Sequence, residues 1–424
     1  MKLYNALSQT VEPFVPQGDT VTIYVCGITP YDTTHLGHAF TYASFDVLIR
    51  YLEYQGYAVR YVQNVTDIDD DVLRKAKAVG EDWQAMGDRW TAHFIEDLRT
   101  LNIRPPDHYP RATDVIEEII SAVQQLIQLG VAYESGGSVY YQVEQWPTFG
   151  KLSHIPEPER LAIANERGNV PDDPRKRNPL DFVLWQAAAP GEPTWDSPWG
   201  AGRPGWHIEC STMSSQFLGQ TIDIHGGGGD LIFPHHECEI AQAEPILNNG
   251  LSDAQPFSRF WLHTAMVHHE GEKMSKSLGN LVMARDLLKS WSPDALRLYL
   301  SRYHYRQIWS HDPLQLARAG TLAQELTKAV SATSGQGSAL DPGQAKETFD
   351  EVLAEDLATP AAQAIMAQLA DAILTGSQAG QDVSQAQAAL RQMGTVFGLR
   401  LDASGLEPRV IEGWSQHLQR FIHA

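Results

Sequence analysis

Apolar and polar positions near the start of the chain follow a strand–helix–strand pattern. Residues 21–26 form an apolar run, residues 41–54 are amphipathic with helical spacing, and residues 58–62 again have the pattern of a strand. Helices and strands are told apart by hydrophobic periods of 3.6 and 2 residues. This order predicts a parallel β-α-β unit, the opening of a doubly wound α/β sheet.

Helical and strand-like stretches continue to about residue 310. Helices are predicted over 83–101 and 112–129, and strands over 136–143, 221–225 and 260–267. Between residues 146 and 204 proline, glycine and charged residues dominate, as expected of an insertion or a lid-like connection. We predict a Rossmann-like catalytic domain over residues 1–310, with an insertion at about 105–204.

The remainder of the chain has mainly helical periodicity. Glycine- and serine-containing breaks at 333–338 and 375–380 separate some of its helices. The predicted helices cover 292–303, 314–331, 347–355, 360–374 and 383–393. This pattern predicts a C-terminal helical bundle over residues 311–424.

Composition excludes several classes of protein. Hydrophobic residues make up 43% of the 424 residues and charged residues 20%, as in ordinary globular proteins. The sequence contains no uncharged apolar stretch of membrane-spanning length, and its first residues lack the pattern of a signal peptide. Three cysteines are too few for a disulfide framework and fit a reducing compartment. We expect a cytoplasmic monomer with no membrane contact.

The net charge bears on the choice of partner. It is −20 at pH 7, and the one short basic run is Arg175-Lys176-Arg177. Proteins that bind nucleic acid usually present a concentrated basic patch. The charge therefore weighs against a large RNA partner.

Two short signatures far apart in the chain indicate a nucleotide site. His35 and His38 flank Leu36-Gly37 at a predicted strand-to-helix turn, where helix N-termini bind anions. Lys273 and Lys276 stand in Lys273-Met274-Ser275-Lys276-Ser277, a loop suited to neutralising a leaving pyrophosphate. In this order the signatures resemble those of class I aminoacyl-tRNA synthetases. The resemblance implies ATP, with Mg²⁺, as a substrate.

A second constellation indicates a metal. Cys26 adjoins the first signature, Cys210 follows a Gly-Trp-His motif, and His235 and Glu239 stand four residues apart, on one helical face. An isolated cysteine is most often a buried small hydrophobe. Because every cysteine here adjoins a glycine or histidine motif, we favour Zn²⁺, which thiolate, imidazole and carboxylate groups suit. Cys238 is a further thiol that could compete as a ligand.

Such a metal would explain how a site selects cysteine. A substrate thiolate binds zinc as an extra ligand, and the harder hydroxyl of serine cannot match it. Large discrimination then needs no separate proofreading site.

Four longer segments narrow the resemblance to cysteinyl-tRNA synthetases and the related cysteine ligase of mycothiol biosynthesis, over about residues 21–303. They are Cys26 to Asp32 with the first signature, Asn64-Val65-Thr66-Asp67-Ile68-Asp69-Asp70, Arg203 to Ser211, and Asp230 to Glu237. The resemblance implies cysteinyl-adenylate formation, with Cys26, Cys210, His235 and Glu239 as zinc ligands. It implies ATP or adenylate contacts at Gly27, Ile28, Thr29, His35, His38, Thr41, Asn64, Val65, Thr66, Trp206, Gly228, Gly229, Asp230, Val267, Lys273 and Lys276.

The acidic run Asp67, Asp69, Asp70 and Asp71 has two interpretations. It could hold magnesium, but turn and helix capping is the interpretation that we favour.

The two related families differ in the acceptor of the activated cysteine. Three features favour the ligase, whose acceptor is the amine of glucosaminyl-inositol: Ile28-Thr29-Pro30-Tyr31, an acidic C-terminal part, and no complete anticodon-binding module after Leu399. Other segments are closer to those of a synthetase. They are Gly150 to His154, Asp181 to Trp185, and Glu239 with Ile240-Ala241-Gln242. We expect L-cysteine, ATP and an amino-sugar acceptor, with tRNA as the alternative.

A third hypothesis is a catalytically silent paralogue that binds zinc or cysteine as a sensor. His35, His38, Lys273 and Lys276 are all intact. A sensor has no need of lysines that stabilise pyrophosphate, so their presence argues against this hypothesis.

Overall fold

A four-stranded parallel sheet forms the centre of the molecule. The computed structural model describes residues 1–31, 34–274, 279–401 and 408–422. The strands are β1 (Lys2–Asn5), β2 (Thr10–Pro13), β3 (Thr20–Ile28), β4 (Ala58–Val65), β5 (Ala132–Ser135), β6 (Ser138–Tyr141), β7 (Phe182–Ala187), β8 (Gly202–Pro204), β9 (Ile222–Gly228), β10 (Ser258–Thr264), β11 (Val267–His269), β12 (Glu272–Lys273) and β13 (Trp309–Ser310). The central sheet has the order β10-β9-β3-β4, with every pair parallel. Its strands therefore end at one edge, where ligands of α/β sheets bind.

Helices surround this sheet and make up the C-terminal part. They are α1 (Leu36–Tyr54), α2 (Asp70–Val79), α3 (Trp83–Thr100), α4 (Ile116–Gln128), α5 (Glu157–Glu166), α6 (Trp206–Leu218), α7 (Glu237–Leu247), α8 (Ala284–Leu288), α9 (Pro293–Leu300), α10 (Pro313–Val330), α11 (Gly343–Ala354), α12 (Thr359–Gln378), α13 (Ser384–Val396) and α14 (Pro408–Ile422). The α/β fold class with C-terminal helices is confirmed. No helix of the described residues has the length and apolar character to cross a bilayer.

The insertion is more regular than its composition indicates. An antiparallel sheet of order β5-β6-β7-β8 occupies it, together with α5. The predicted strand over 136–143 is wrong at its start, because Gly136 and Gly137 have φ of +62° and +81° and form a hairpin turn. Two positive φ values in a two-residue loop are what a tight β-hairpin requires. The domain boundaries at 105, 204 and 310 stay predictions.

Several elements lie where no element was predicted, β7 and β8 of the insertion among them. β1 and β2 form an N-terminal hairpin, and α2 begins inside the acidic run. The helix α14 packs against α3, and its buried Trp414 donates an indole N–H to the Ile103 carbonyl at 2.8 Å. This contact anchors α14 beside the start of the insertion.

Candidate active site

The carboxyl ends of the central strands bring the predicted residues together. Cys26 stands near the end of β3, Val65 ends β4, Gly228 ends β9 and Thr264 ends β10. These strands are neighbours in the sheet. Their ends therefore form a single rim, and α1 begins beside it.

The first signature forms the N-terminus of α1. His35 is its N-cap, and its Nδ1 accepts a hydrogen bond from the Gly37 N–H at 3.1 Å. A neutral imidazole that accepts at Nδ1 carries its proton on Nε2. The rings of His35 and His38 stack with centroids 3.8 Å apart. The arrangement places two imidazoles at a helix N-terminus, which suits phosphate oxygens.

The start of this loop is held against β4. The Gly27 N–H donates to the Asn64 side-chain oxygen at 2.8 Å, and the Asn64 side-chain amide donates to the Thr66 hydroxyl at 3.3 Å. A Cβ on residue 27 would lie 1.6 Å from the Asn64 carbonyl oxygen. Only glycine fits there, and the close approach fixes the segment 64–66 beside the first signature.

A cavity of about 1080 Å³ opens beside this rim and reaches the insertion. Of the predicted residues, Thr29, Trp206, Asp230 and His235 line it. The Trp206 indole stacks on the His235 imidazole with centroids 4.3 Å apart. Arg175 and Lys176, from the basic run, also lie on its wall.

The other predicted contacts among the described residues lie outside the lining of this cavity. The hydroxyls of Thr41 and Thr264 are 2.7 Å apart, and Val267 is buried at the start of β11. Lys273 belongs to β12, whose backbone pairs with His268. Ser275, Lys276 and Ser277 lie outside the described residues. The roles of all these residues stay predictions.

Cys26, Cys210, His235 and Glu239 converge on one buried point. Their ligand atoms all lie within 4.8 Å of one another. Glu239 Oε1 is 3.2 Å from His235 Nε2 and 3.6 Å from Cys26 Sγ. Cys238 is buried but belongs to neither potential donor group found among the described residues.

The electrostatics of these residues fit a bound cation. Burial, with Cys210 and Glu239 close by, raises the pKa of the Cys26 thiol, and burial raises the pKa of Glu239. Burial lowers the pKa of His235, so this imidazole stays neutral and able to coordinate. Glu239 Oε2 is buried without a hydrogen-bond partner. A zinc ion suits this donor set, and it would favour the thiolate and carboxylate forms that burial alone disfavours.

Further histidines surround these four residues. His207 Nδ1 lies 2.8 Å from His235 Nδ1, and His236 Nδ1 lies 2.8 Å from His263 Nε2. His225 is packed against Tyr24, with ring centroids 4.9 Å apart. Burial lowers the pKa of His207, His225 and His263 to about 3. Sequence reasoning assigned no role to His207, His225, His236 or His263. Two of them, His225 and His263, lie in predicted strands.

The acidic run caps a helix and accepts hydrogen bonds from a neighbouring segment, which is the interpretation that we favoured from the sequence. Asp69 is the N-cap of α2 and accepts from the Val72 N–H at 2.8 Å. Asp67 accepts from the Thr113 N–H at 3.1 Å and from its hydroxyl at 2.5 Å. Burial raises the pKa of Asp67 to about 6 and that of Asp69 to about 7.

Known proteins resemble this chain both in sequence and in fold. The family model described as tRNA synthetases class I (C) catalytic domain matches residues 13–320. A cysteine–tRNA ligase of Dehalococcoides mccartyi is 44% identical over 407 residues, covering 95% of this chain and 86% of the relative. One of Thermosynechococcus vestitus is 44% identical over 448 residues, covering 100% of this chain and 90% of the relative. The structure of Mycobacterium tuberculosis methionyl-tRNA synthetase with methionyl-adenylate matches with a TM-score of 0.62 at 18% identity, covering 96% of this chain and 93% of that chain, which shows the fold alone.

Proposed function

Because the chain belongs to the cysteinyl-tRNA synthetase family of class I synthetases, we propose that it joins cysteine to tRNA in two steps at this site. It is an ATP-dependent, AMP-forming cysteine ligase. The observation that carries the tRNA assignment is the 44% identity to cysteine–tRNA ligases over 95–100% of this chain.

In the first step the cysteine carboxylate attacks the α-phosphorus of ATP. A carboxylate–phosphorus bond forms, and the bond from that phosphorus to the bridging oxygen breaks, so that pyrophosphate leaves. His35 and His38 at the N-terminus of α1 hold the phosphates. Lys273 and Lys276 neutralise the charge that builds on pyrophosphate in the transition state. The segments 64–66 and 228–230 frame the adenylate.

The buried donor set selects the amino acid. Cys26, Cys210, His235 and Glu239 would hold a zinc ion, which would supply a soft site for the thiolate of the substrate. Trp206, stacked on His235, lines the cavity beside this centre. Serine, which lacks a soft donor, would gain nothing from such a metal and would be rejected without editing.

For the second step, the relatives support the alternative acceptor, tRNA, over the amino sugar that the sequence favoured. The charge argument against RNA considered the whole surface. Arg175 and Lys176 lie on the wall of the cavity, but Arg175 pairs with Asp173, and acidic residues line the cavity as well. The choice of tRNA therefore rests on the relatives and not on local charge.

A direct choice between acceptors tests this proposal. The protein is incubated with ATP and radiolabelled cysteine, together with either tRNA or glucosaminyl-inositol. We expect the label to become acid-precipitable with tRNA, and to remain soluble with periodate-oxidised tRNA, which lacks the terminal ribose hydroxyls. Amide formation with the amino sugar while tRNA stays uncharged would overturn the proposal.

A further inference from the structure

Two sets of metal-binding side chains share the centre of the site. The first is the predicted set, Cys26, Cys210, His235 and Glu239. The second, called here the inner set, keeps Cys26 and Glu239 but replaces the other two residues by His225 and His236. In each set the four ligand atoms lie within 4.8 Å of one another, and all the residues are buried.

The distances within the inner set are close to those between the ligand atoms of a tetrahedral ion. Cys26 Sγ lies 3.3 Å from His236 Nε2, 3.8 Å from His225 Nε2 and 3.6 Å from Glu239 Oε1. Glu239 Oε2 lies 3.4 Å from His225 Nε2, and Glu239 Oε1 lies 3.9 Å from His236 Nε2. Zinc bonds of the usual lengths at tetrahedral angles separate neighbouring ligand atoms by about 3.4–3.6 Å. The inner set therefore needs little movement to bind.

The surroundings of the inner set also suit a ligand role. His236 Nδ1 is 2.8 Å from His263 Nε2, the kind of partner that fixes the tautomer and orientation of a metal-binding ring. The rings of His225 and His236 lie 4.5 Å and 5.3 Å from Trp261. Neither histidine lines the cavity, whereas His235 does. The inner set thus lies on the side of the centre away from the cavity.

We propose that the centre has two ligation modes for one ion, and that the inner set holds it when Cys210 or His235 is unavailable. One thiolate, two imidazoles and one carboxylate are a donor set that zinc accepts. This inference goes beyond the proposed function, because it concerns where the ion is held and does not depend on the acceptor.

Cobalt substitution tests the two modes, because thiolate-to-cobalt charge-transfer absorbance reports the number of bound thiolates. Cys210→Ala and His235→Ala are each expected to retain about one equivalent of Co²⁺ in equilibrium dialysis. The Cys210→Ala spectrum should lose about half of its charge-transfer absorbance. Cys26→Ala, which removes a ligand common to both sets, should lose most of the metal.

Two further variants complete the design. Cys238→Ala removes a buried thiol that is in neither set, so its spectrum should match the wild type. The double variant Cys210→Ala/His236→Ala removes a ligand from each set, so it should bind Co²⁺ at least about 10-fold more weakly than Cys210→Ala.

The proposal fails if folded Cys210→Ala and His235→Ala lose metal as completely as Cys26→Ala, or if adding His236→Ala to Cys210→Ala changes nothing. Circular dichroism establishes folding. If neither single variant folds, the rate at which zinc is released to a chelator tests the proposal instead. His236→Ala in the otherwise intact protein should release zinc about 10-fold faster, because it lacks the inner mode, and an unchanged rate overturns the proposal.

Discussion

At the scale of single residues, the site depends on one close backbone approach. An added Cβ at Gly27 overlaps the Asn64 carbonyl oxygen, whereas Gly18 has no atom within 4 Å of that position. Gly27→Ala is therefore expected to lower the free energy of unfolding by about 3 kcal/mol, since overpacking forces the backbone to move. Gly18→Ala is the matched control, with little change. Urea denaturation measures both, and equal stability of the two variants would contradict this account.

Lys276 carries a second prediction at this scale, which rests on the sequence because the residue lies outside the described part. Lys276→Ala should slow adenylate formation by about 10²–10³-fold and leave the Kd for cysteine nearly unchanged, as expected of a group that acts in the transition state. Lys289→Ala, which removes an exposed lysine paired with Asp286, is the control. Rapid-quench kinetics and equilibrium binding separate the two effects. A parallel loss of rate and affinity would remove the transition-state role.

The sequence was informative about single residues where a motif confined them. Cys26, Cys210, His235 and Glu239 were chosen from their motifs, and their ligand atoms do converge. His225 and His236 were not chosen, although their Nε2 atoms lie 3.8 Å and 3.3 Å from Cys26 Sγ. The chain has 16 histidines, and which of them meet depends on strand register and on the packing of α7 against the sheet. Neither can be read from local spacing.

At the scale of elements, the cap of α2 both starts the helix and makes the stability of the protein depend on pH. Asp69 caps α2 and is half-buried, and the loss of solvation there raises its pKa from 3.8 to about 7. The folded state therefore binds a proton more readily than the unfolded state. This contribution to stability is present below pH 3.8 and is lost as the pH rises through about 7.

Asp69→Asn tests this linkage, because asparagine keeps a cap acceptor but has no proton to lose. Relative to wild type, the variant should gain on the order of 3 kcal/mol in unfolding free energy between pH 4 and pH 8. Urea denaturation across this range measures the difference. A difference between Asp69→Asn and wild type that stays constant with pH would contradict the raised pKa.

Elements were predictable where periodicity was long. The predicted helix over 83–101 matches α3 (Trp83–Thr100) to within a residue, and 314–331 matches α10 (Pro313–Val330) equally well. The short strands β7 and β8 were missed because each is stabilised by its neighbours in the insertion sheet. Such pairing is tertiary and leaves a weak mark on local sequence.

At the scale of the whole molecule, a buried ionic cluster joins α1, the helix that begins at the first signature, to the C-terminal part. Asp46 of α1 accepts from Arg50 at 2.8 Å and from Arg297 of α9. Arg297 also donates to the carbonyls of Leu101 and Phe397. Burial acts to raise the pKa of Asp46, but the charges of Arg50 and Arg297 hold it below 3.8. The carboxylate is therefore the group that balances two buried guanidinium ions.

Asp46→Asn should destabilise the protein by about 3–5 kcal/mol, because it leaves two buried positive charges without their partner. Asp286→Asn, which breaks the exposed pair with Lys289, should change stability by less than about 1 kcal/mol. Thermal and urea unfolding measure both variants. If Asp46→Asn is as mild as Asp286→Asn, the cluster does not hold these parts together.

The fold and the activated amino acid were easier to predict than the acceptor, because local motifs indicate the first two and a surface formed by several elements determines the third. Cysteine activation rests on compact motifs, such as His35 to His38 and His235 to Glu239, whose chemistry is local. In the proposed function the acceptor approaches the cavity, whose lining comes from several elements, the insertion among them. A net charge of −20 averages over that surface and misdirected the choice.

The most direct test of the central claim is exchange of labelled pyrophosphate into ATP by the metal-loaded protein. We predict exchange that requires cysteine, falls roughly 10⁴-fold when serine replaces it, and disappears when a chelator removes the metal. No exchange with cysteine, or equal exchange with serine, would contradict the account of a metal centre that selects cysteine for activation.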